Sequence, residues 1–353
     1  MFDKMLNQLG PWLKGEGPHN DIVISSRIRL ARNISGYPFI SKATEQDRQR
    51  IEEAVDRAVK NVHEKDDLFE VDLEPLSQLQ RQMLVERQLI SREIAETPGP
   101  RAVYIANDES YSIMVNEEDH LRMHALTSGL DLHAVWDRIN MLDDHLESHI
   151  PYAFSKELGY LTACPTNVGT GMRVSVMLHL PALSIAQEID KVFRGLSKLN
   201  LAVRGIYGEG SQALGEFYQI SNQITLGRSE AELIEQVQEI VERIVQYERK
   251  AREALMEANE EVLLDKASRA LGLLQTARTM SSEEAMHLLS TLRLAVNMKL
   301  LGVPKISLIN ELLLFTQPAH LQQFSGSELT PANRDLSRAQ YLRQRLVDLS
   351  DAG

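Results

Sequence analysis

Apolar residues at positions 51, 54, 55, 58, 59 and 62 recur at steps of three and four, which predicts an amphipathic helix within residues 41–65. Elsewhere the period is two. Alternation or short apolar runs predict strands over 68–73, 102–105, 112–115 and 172–180, the last with Met172, Val174, Val176 and Leu178 on one side, and residues 201–206 and 217–226 extend the set. The run from Asp21 to Arg32 is strand-like as well. Helical patterns at 76–95, 131–148, 183–199 and 229–257 fall between these strands. Short turns join several neighbours, so the expected fold is α+β: a mainly antiparallel sheet flanked by helices. Beyond residue 258 strand signals stop. Ser281 with Glu284 forms a capping box and Thr330 with Pro331 opens a further helix, giving an all-helical C-terminal domain. The expected organisation is a leader over 1–20, punctuated by Gly10, Pro11, Gly15, Gly17 and Pro18, a sheet-bearing unit over 21–255 and a helical unit over 256–353, with a boundary that can sit inside a long helix.

Composition narrows the function. With 353 residues, 43% apolar and 25% charged, the chain has room for two domains and is neither disordered nor fibrous. It has no apolar run long enough to span a bilayer and no signal-peptide apolar core at its start, so a cytoplasmic location is expected. The single cysteine, Cys164, cannot form an intrachain disulfide. A formal net charge of −12 repels nucleic acid and anionic membranes. Among the 38 bases, however, 26 are arginines and only 12 are lysines, and arginine is the residue favoured for bidentate phosphate and carboxylate contacts.

Familiar nucleotide signatures are missing: there is no GxxxxGK(S/T) loop, no GxGxxG after a strand and no HRD or DFG pair. No zinc-type spacing occurs and no metal site is expected; His120 and His124, four apart, read best as a surface or packed pair. What remains is a set of arginines. Arg27 and Arg29, two apart in a strand-like run, project from one side, as a wet strand face or as paired guanidinium forks. Glu117, Glu118 and Asp119 follow a strand, with Arg122 just behind; they form a solvated turn, or a carboxylate for a cation beside an arginine for an anion. The stretch 164–173 is a plain hairpin, or a loop whose Gly169 and Gly171 admit a ligand to the backbone, and it ends on Arg173. Arg204 repeats the theme at a strand end, with Glu209 five residues on. Jointly, Arg27, Arg29, Arg122, Arg173 and Arg204 suit a convergent polyphosphate cradle, with two carboxylates in the same segments.

The motifs SSRIR at 25–29, NEEDHLR at 116–122, CPTNVGTGMR at 164–173 and RGIYGE at 204–209 occur in this order over two hundred residues, and the region from Asp21 to Gly227 resembles the catalytic domain of phosphagen (guanidino) kinases. That resemblance implies an ATP:guanidino phosphotransferase using Mg2+, with the five arginines on the nucleotide phosphates and Glu118, Glu209 and Cys164 around the guanidinium. It also implies nucleotide contacts at Ser25, Ser26, Ile28, Val174, Ser175, Val176, Met177, Gly205, Ile206, Tyr207, Gly208 and Glu209. At Gln88 relatives usually carry a histidine near the adenine.

Family members acting on creatine or free arginine carry a helical domain before the first motif; here a helical domain follows the catalytic one. This arrangement resembles the bacterial branch that phosphorylates arginine side chains of proteins, and implies that activity rather than a small-molecule guanidino kinase or a non-catalytic phosphoarginine adaptor. Arg334, Asp335, Arg338 and Ala339 match the branch's RDxxRA motif, which implies a regulatory phosphoarginine-binding pocket; read by themselves they are a charge-laced helix surface. By the same resemblance the partners are proteins with exposed arginines, among them a stress-gene repressor and damaged proteins, together with an activator protein, the Clp protease and a second copy in a homodimer. Mechanistically, a guanidinium holds its proton at neutral pH, so attack on phosphorus needs a base, expected in Glu118, and alignment, expected from Glu209, with Cys164 as a positioning group.

Overall fold

A computed structural model describes residues 1–61, 68–205, 214–302 and 304–347. Its strands in chain order are β1 (Val23–Arg32), β2 (Leu68–Asp72), β3 (Ala102–Ala106), β4 (Tyr111–Val115), β5 (Leu121–Ser128), the hairpin pair β6 (Phe154–Ser155) and β7 (Gly159–Tyr160), β8 (Met172–His179), β9 (Leu201–Gly205) and β10 (Phe217–Asn222). Eight of them form one sheet in the order β2-β3-β4-β5-β1-β8-β10-β9, and the paired neighbours are antiparallel throughout. The helices are α1 (Phe2–Met5), α2 (Glu45–Val59), α3 (Gln78–Glu86), α4 (Arg92–Glu96), α5 (Leu132–Glu147), α6 (Pro181–Ile185), α7 (Ile189–Lys198), α8 (Glu230–Thr276), α9 (Ser282–Asn297), α10 (Ile306–Phe315), α11 (Pro318–Ser325) and α12 (Pro331–Val347).

Local chemistry explains where these elements stop. Thr44 and Asp47 close a reciprocal capping box, so α2 starts there and not at residue 41. The helical pattern over 76–95 divides in two because Gln88 takes a left-handed backbone (φ 61°) and Ser91 caps a second helix by accepting from Ile94 N. Gln187 (φ 57°) lies between α6 and α7 in the same way. The helix expected over 229–257 runs on to Thr276 as one element of 47 residues, broken only at Asn259 (φ −156°, ψ 50°), so the expected 255/256 boundary falls inside it. The leader packs against the protein: Trp12 and Leu13 are buried with the C-terminal helices.

One face of the sheet carries Ile28, Leu30, Met123, Val174 and Val176 into a core shared with α2, α5 and the first part of α8. The other carries Ile24, Leu126, Met177 and Phe217 against Trp12, Leu13, α9, α10 and α12. The helical domain therefore sits on one end of the face opposite the main core. Polar groups hold it there. Arg293, fully buried on α9, donates to Asn20 O (2.7 Å) and Asp21 O (2.9 Å), and His179 Nε2 bonds Ser290 Oγ at 2.8 Å. Among the described residues no helix is long and apolar enough to cross a membrane.

Candidate active site

Strand register brings the arginines together. Arg29 on β1 lies opposite Arg173 on β8 and His124 on β5, two residues from Arg122. Arg27 lies opposite Ser175; one strand further, Met177 faces Gln219 on β10, which faces Arg204 on β9. With a side-chain period of two, Arg27, Arg29, Arg122, Arg173, Gln219 and Arg204 share one face across five neighbouring strands. All five arginines are half-buried.

Such a cluster repels itself. Burial first, then Arg122 and Arg173, push the Arg27 guanidinium down to about 10. Arg29 is held well below the ordinary range by burial, Arg122, Arg27 and Arg173, partly offset by Glu117. Since a guanidinium keeps its proton, these depressions reflect burial together with the like charge of neighbouring arginines, both of which a bound anion would offset. Neutral amides fill the gaps: Arg27 donates to Gln88 Oε1 and Gln219 Oε1, each at 3.2 Å.

The three acids after β4 separate into three tasks. Glu117 is buried and pairs with Arg122, Nη1 to Oε1 at 2.5 Å, while Ser91 Oγ donates to the same carboxylate. Although burial opposes its charge, Arg122 and Ser91 hold Glu117 below the usual carboxylate range; on Arg122 burial is likewise outweighed by Glu117 and the guanidinium is raised. Asp119 is buried and accepts from Asn33 Nδ2 and Ala163 N, both at 2.6 Å. Glu118 is half-buried and within electrostatic reach of Arg122 and Arg173: burial and then Asp119 and Glu117 raise its pKa, while these two arginines pull it back.

Asp119 also fixes the cysteine loop. Its partner Ala163 precedes Cys164, whose carbonyl accepts from Thr162 Oγ1 (2.8 Å) and whose Sγ lies 3.0 Å from Thr166 Oγ1. Gly169 (φ 113°) and Gly171 (φ 62°) do need glycine, but the backbone they approach is the chain's own: an added Cβ would meet Thr225 O at 2.7 Å or Ala31 O at 2.6 Å.

Other expected contacts are dispersed. Ser26 Oγ donates to Gly129 O at 2.8 Å, and Ser175 Oγ donates to Arg27 O at 3.3 Å. The side chains of Ile28, Val174 and Val176 lie in the core on the opposite face, so only their main chains belong to the arginine-bearing strands. Ser25 is buried on the arginine side, Gly205 pairs with Tyr218, and Met177 lines the cavity above the cluster. That cavity measures about 470 Å³ and includes Arg27, Arg29, Arg204, Gln88 and Gln219 in its walls. Ile206, Tyr207, Gly208 and Glu209 lie outside the described residues. His120 accepts from Ile34 N (2.9 Å) and bonds Pro38 O (2.9 Å), while His124 is buried against Ser112, so the two histidines are packed apart. No group of three His, Cys, Asp or Glu able to hold a metal ion occurs among the described residues. In α12, Arg338 is buried and donates to Thr316 O (2.9 Å), Met280 O (2.9 Å) and Asp335 Oδ1 (2.7 Å); Ala339 is buried beside it, and Arg334 and Asp335 are half-buried.

An antiparallel sheet with five arginines on one face and a carboxylate within their electrostatic reach suits a phosphotransferase of the guanidino class. The chain matches the ATP:guanido phosphotransferase C-terminal catalytic domain over residues 50–251 and belongs to that family. Lombricine kinase shares the fold at a TM-score of 0.60 and 25% identity, covering 72% of this chain and 71% of that one. A duplicated taurocyamine kinase from Schistosoma mansoni, solved with transition-state-analogue components, aligns at a TM-score of 0.61 and 27% identity over 69% of this chain and 35% of that one. The particular branch follows from whole-length likeness. A protein-arginine kinase of Desulforamulus reducens is 48% identical over 349 residues, 98% of each chain, and one of Moorella thermoacetica is 46% identical over 345 residues, 97% of this chain and 99% of that one. Residues 260–353 match the protein-arginine kinase McsB C-terminal domain.

Proposed function

We propose that this enzyme transfers the γ-phosphoryl of ATP to arginine side chains of proteins. The observation that carries the reading is the convergence of Arg27, Arg29, Arg122, Arg173 and Arg204 on one sheet face, with Glu118 within electrostatic reach of Arg122 and Arg173. The arginines hold the phosphate tail and neutralise charge spreading over the transferred group, a task that needs positioning more than covalent chemistry. Mg2+ enters with the nucleotide's phosphate oxygens, its usual mode of binding. Glu117 fixes the Arg122 fork; Glu118, its affinity for protons raised by burial, takes the proton that the guanidinium nitrogen must lose to attack phosphorus. Cys164, held through Asp119 and Ala163, borders the same turn and positions the substrate; family resemblance assigns Glu209 the opposite edge of the guanidinium.

The same resemblance supports a regulatory phosphoarginine pocket around Arg334, Asp335, Arg338 and Ala339, a cytoplasmic enzyme acting as a homodimer, and work alongside an activator protein and the Clp protease on a stress-gene repressor and damaged proteins. The test is to incubate the chain with Mg-ATP and either an arginine-rich folded protein or free L-arginine, then to find the acid-labile phosphate by mass spectrometry under non-acidic conditions. Phosphoarginine in the protein supports the reading. Phosphorylation of free arginine alone moves the assignment to a small-molecule guanidino kinase.

A further inference from the structure

The cavity over the arginines has a second wall, and the sheet does not provide it. Ser282 at the first turn of α9, Leu313 and Leu314 in α10, and Gln317 and Pro318 at the start of α11 close it from the helical domain. The lining combines two chemistries: Arg27, Arg29 and Arg204 bring positive charge, while Ile24, Met177 and Phe217 of the sheet, joined by Leu313 and Leu314, are apolar. We infer that the nucleotide site is composite, with the phosphates on the sheet and the base enclosed between the sheet and the C-terminal helical domain. The inference rests on ATP being the donor. A volume of about 470 Å³ is in the range of small-molecule sites, and the flat faces of a purine base suit the apolar lining as the phosphates match the arginines.

Two sets of hydrogen bonds fix this wall relative to the arginines. Arg338 donates to Met280 O and Thr316 O, main-chain groups lying just ahead of Ser282 and Gln317, so one buried guanidinium clamps both segments of the wall. Glu86, the last residue of α3, accepts from Ala319 N (2.8 Å) and His320 N (3.1 Å) in the first turn of α11. Two residues later Gln88 accepts from Arg27. The helical domain is thus tied, through one short stretch, to the residue that touches a phosphate-side arginine. A wall held in this way is pre-organised for a ligand, which spares the ordering that binding would otherwise require.

The test places bulk in the wall and compares a ligand that has a base with one that lacks it. Isothermal titration calorimetry of the full chain with MgADP and with magnesium tripolyphosphate is repeated on Ser282→Trp, a half-buried position in the first turn of α9. ADP affinity should fall at least about 10-fold and tripolyphosphate affinity stay within about 2-fold, because only the base reaches this wall. Pro318→Phe, from a different helix, should repeat the pattern, so a folding defect in either variant, visible in its melting curve, leaves the other to decide. Unchanged ADP binding in the folded variants overturns the inference, as does a parallel loss of both ligands, which would put the wall over the phosphates. If the unsubstituted chain binds neither ligand, ATP as donor is refuted and the composite site with it.

Discussion

Replacing Glu118 by glutamine keeps the size of the side chain and removes its ability to take a proton. In the structure the carboxylate is half-buried, and burial followed by Asp119 and Glu117 raises its pKa against the pull of Arg122 and Arg173. A base whose pKa lies nearer the working pH transfers protons more effectively, and removing such a base typically lowers the rate by about 100-fold to 10,000-fold. At 1.36 kcal/mol for each factor of ten, the lower figure is about 2.7 kcal/mol of lost transition-state stabilisation. Glu118→Gln should therefore lower kcat by at least about 100-fold, with the KM for ATP within about 3-fold, because the phosphate-side arginines keep their partners. The pH profile gives an independent sign. The base works only when ionised, so the rate falls as pH drops through its pKa, and the raised pKa places that acid limb above the usual value of about 4.3. The limb should vanish in the variant. Steady-state phosphoarginine formation from pH 5 to 9 reads both effects. Turnover within 3-fold of the unsubstituted enzyme, or an acid limb that survives the substitution, would refute the assignment of Glu118 as the base.

Glu117→Gln removes the charge partner of Arg122 and should raise the KM for ATP by about 10-fold while leaving the acid limb in place, measured in the same assay. Asn33→Ala loosens the Asn33, Asp119 and Ala163 knot below Cys164 and should raise the KM for the arginine substrate by about 10-fold with little change for ATP; equal effects on both would mean the loop does not belong to the acceptor side. Arg293→Met removes the donor to the Asn20 carbonyl, while Asp21 O keeps Asn297 Nδ2 and Arg252, and should cost about 1–3 kcal/mol in urea unfolding; a loss below about 0.5 kcal/mol would show that Asn20 O finds another partner. His120, His124 and His179 all have lowered pKa values, chiefly through burial. Above the unfolded value of about 6.5 both states are neutral; below it the unfolded chain takes protons that the folded chain refuses, so stability is lost as pH falls. The urea midpoint should drop between pH 7.5 and 5.5, and less steeply in His124→Gln; an unchanged midpoint would contradict this.

Much of the fold was legible because a period of two or of three to four reports a buried face directly, and β8 and α2 show it. Where the reading stopped short, the deciding contact lay elsewhere in the chain. β5 went unseen although Leu121, Met123 and Ala125 alternate inward, because the acid run before it reads as a turn and Arg122 and His124 face the other way as polar residues. Yet β5 is the strand that aligns Arg122 with Arg29, so composition and motif point to the cradle while the pairing that builds it stays hidden. The same gap hid the division of labour among Glu117, Glu118 and Asp119. Three adjacent carboxylates carry no local mark of which is buried; Arg122 pairs with Glu117, and Asn33, 86 residues away, takes Asp119, leaving Glu118 within electrostatic reach of the arginine cluster. The second wall of the cavity was least visible of all, since its residues lie more than 250 positions from Arg27 and Arg29 and read locally as ordinary helix caps and leucines. A site assembled by register and docking has no local signature of its own, so the way to test it is to perturb one contributing segment and measure the effect on a ligand held mainly by another.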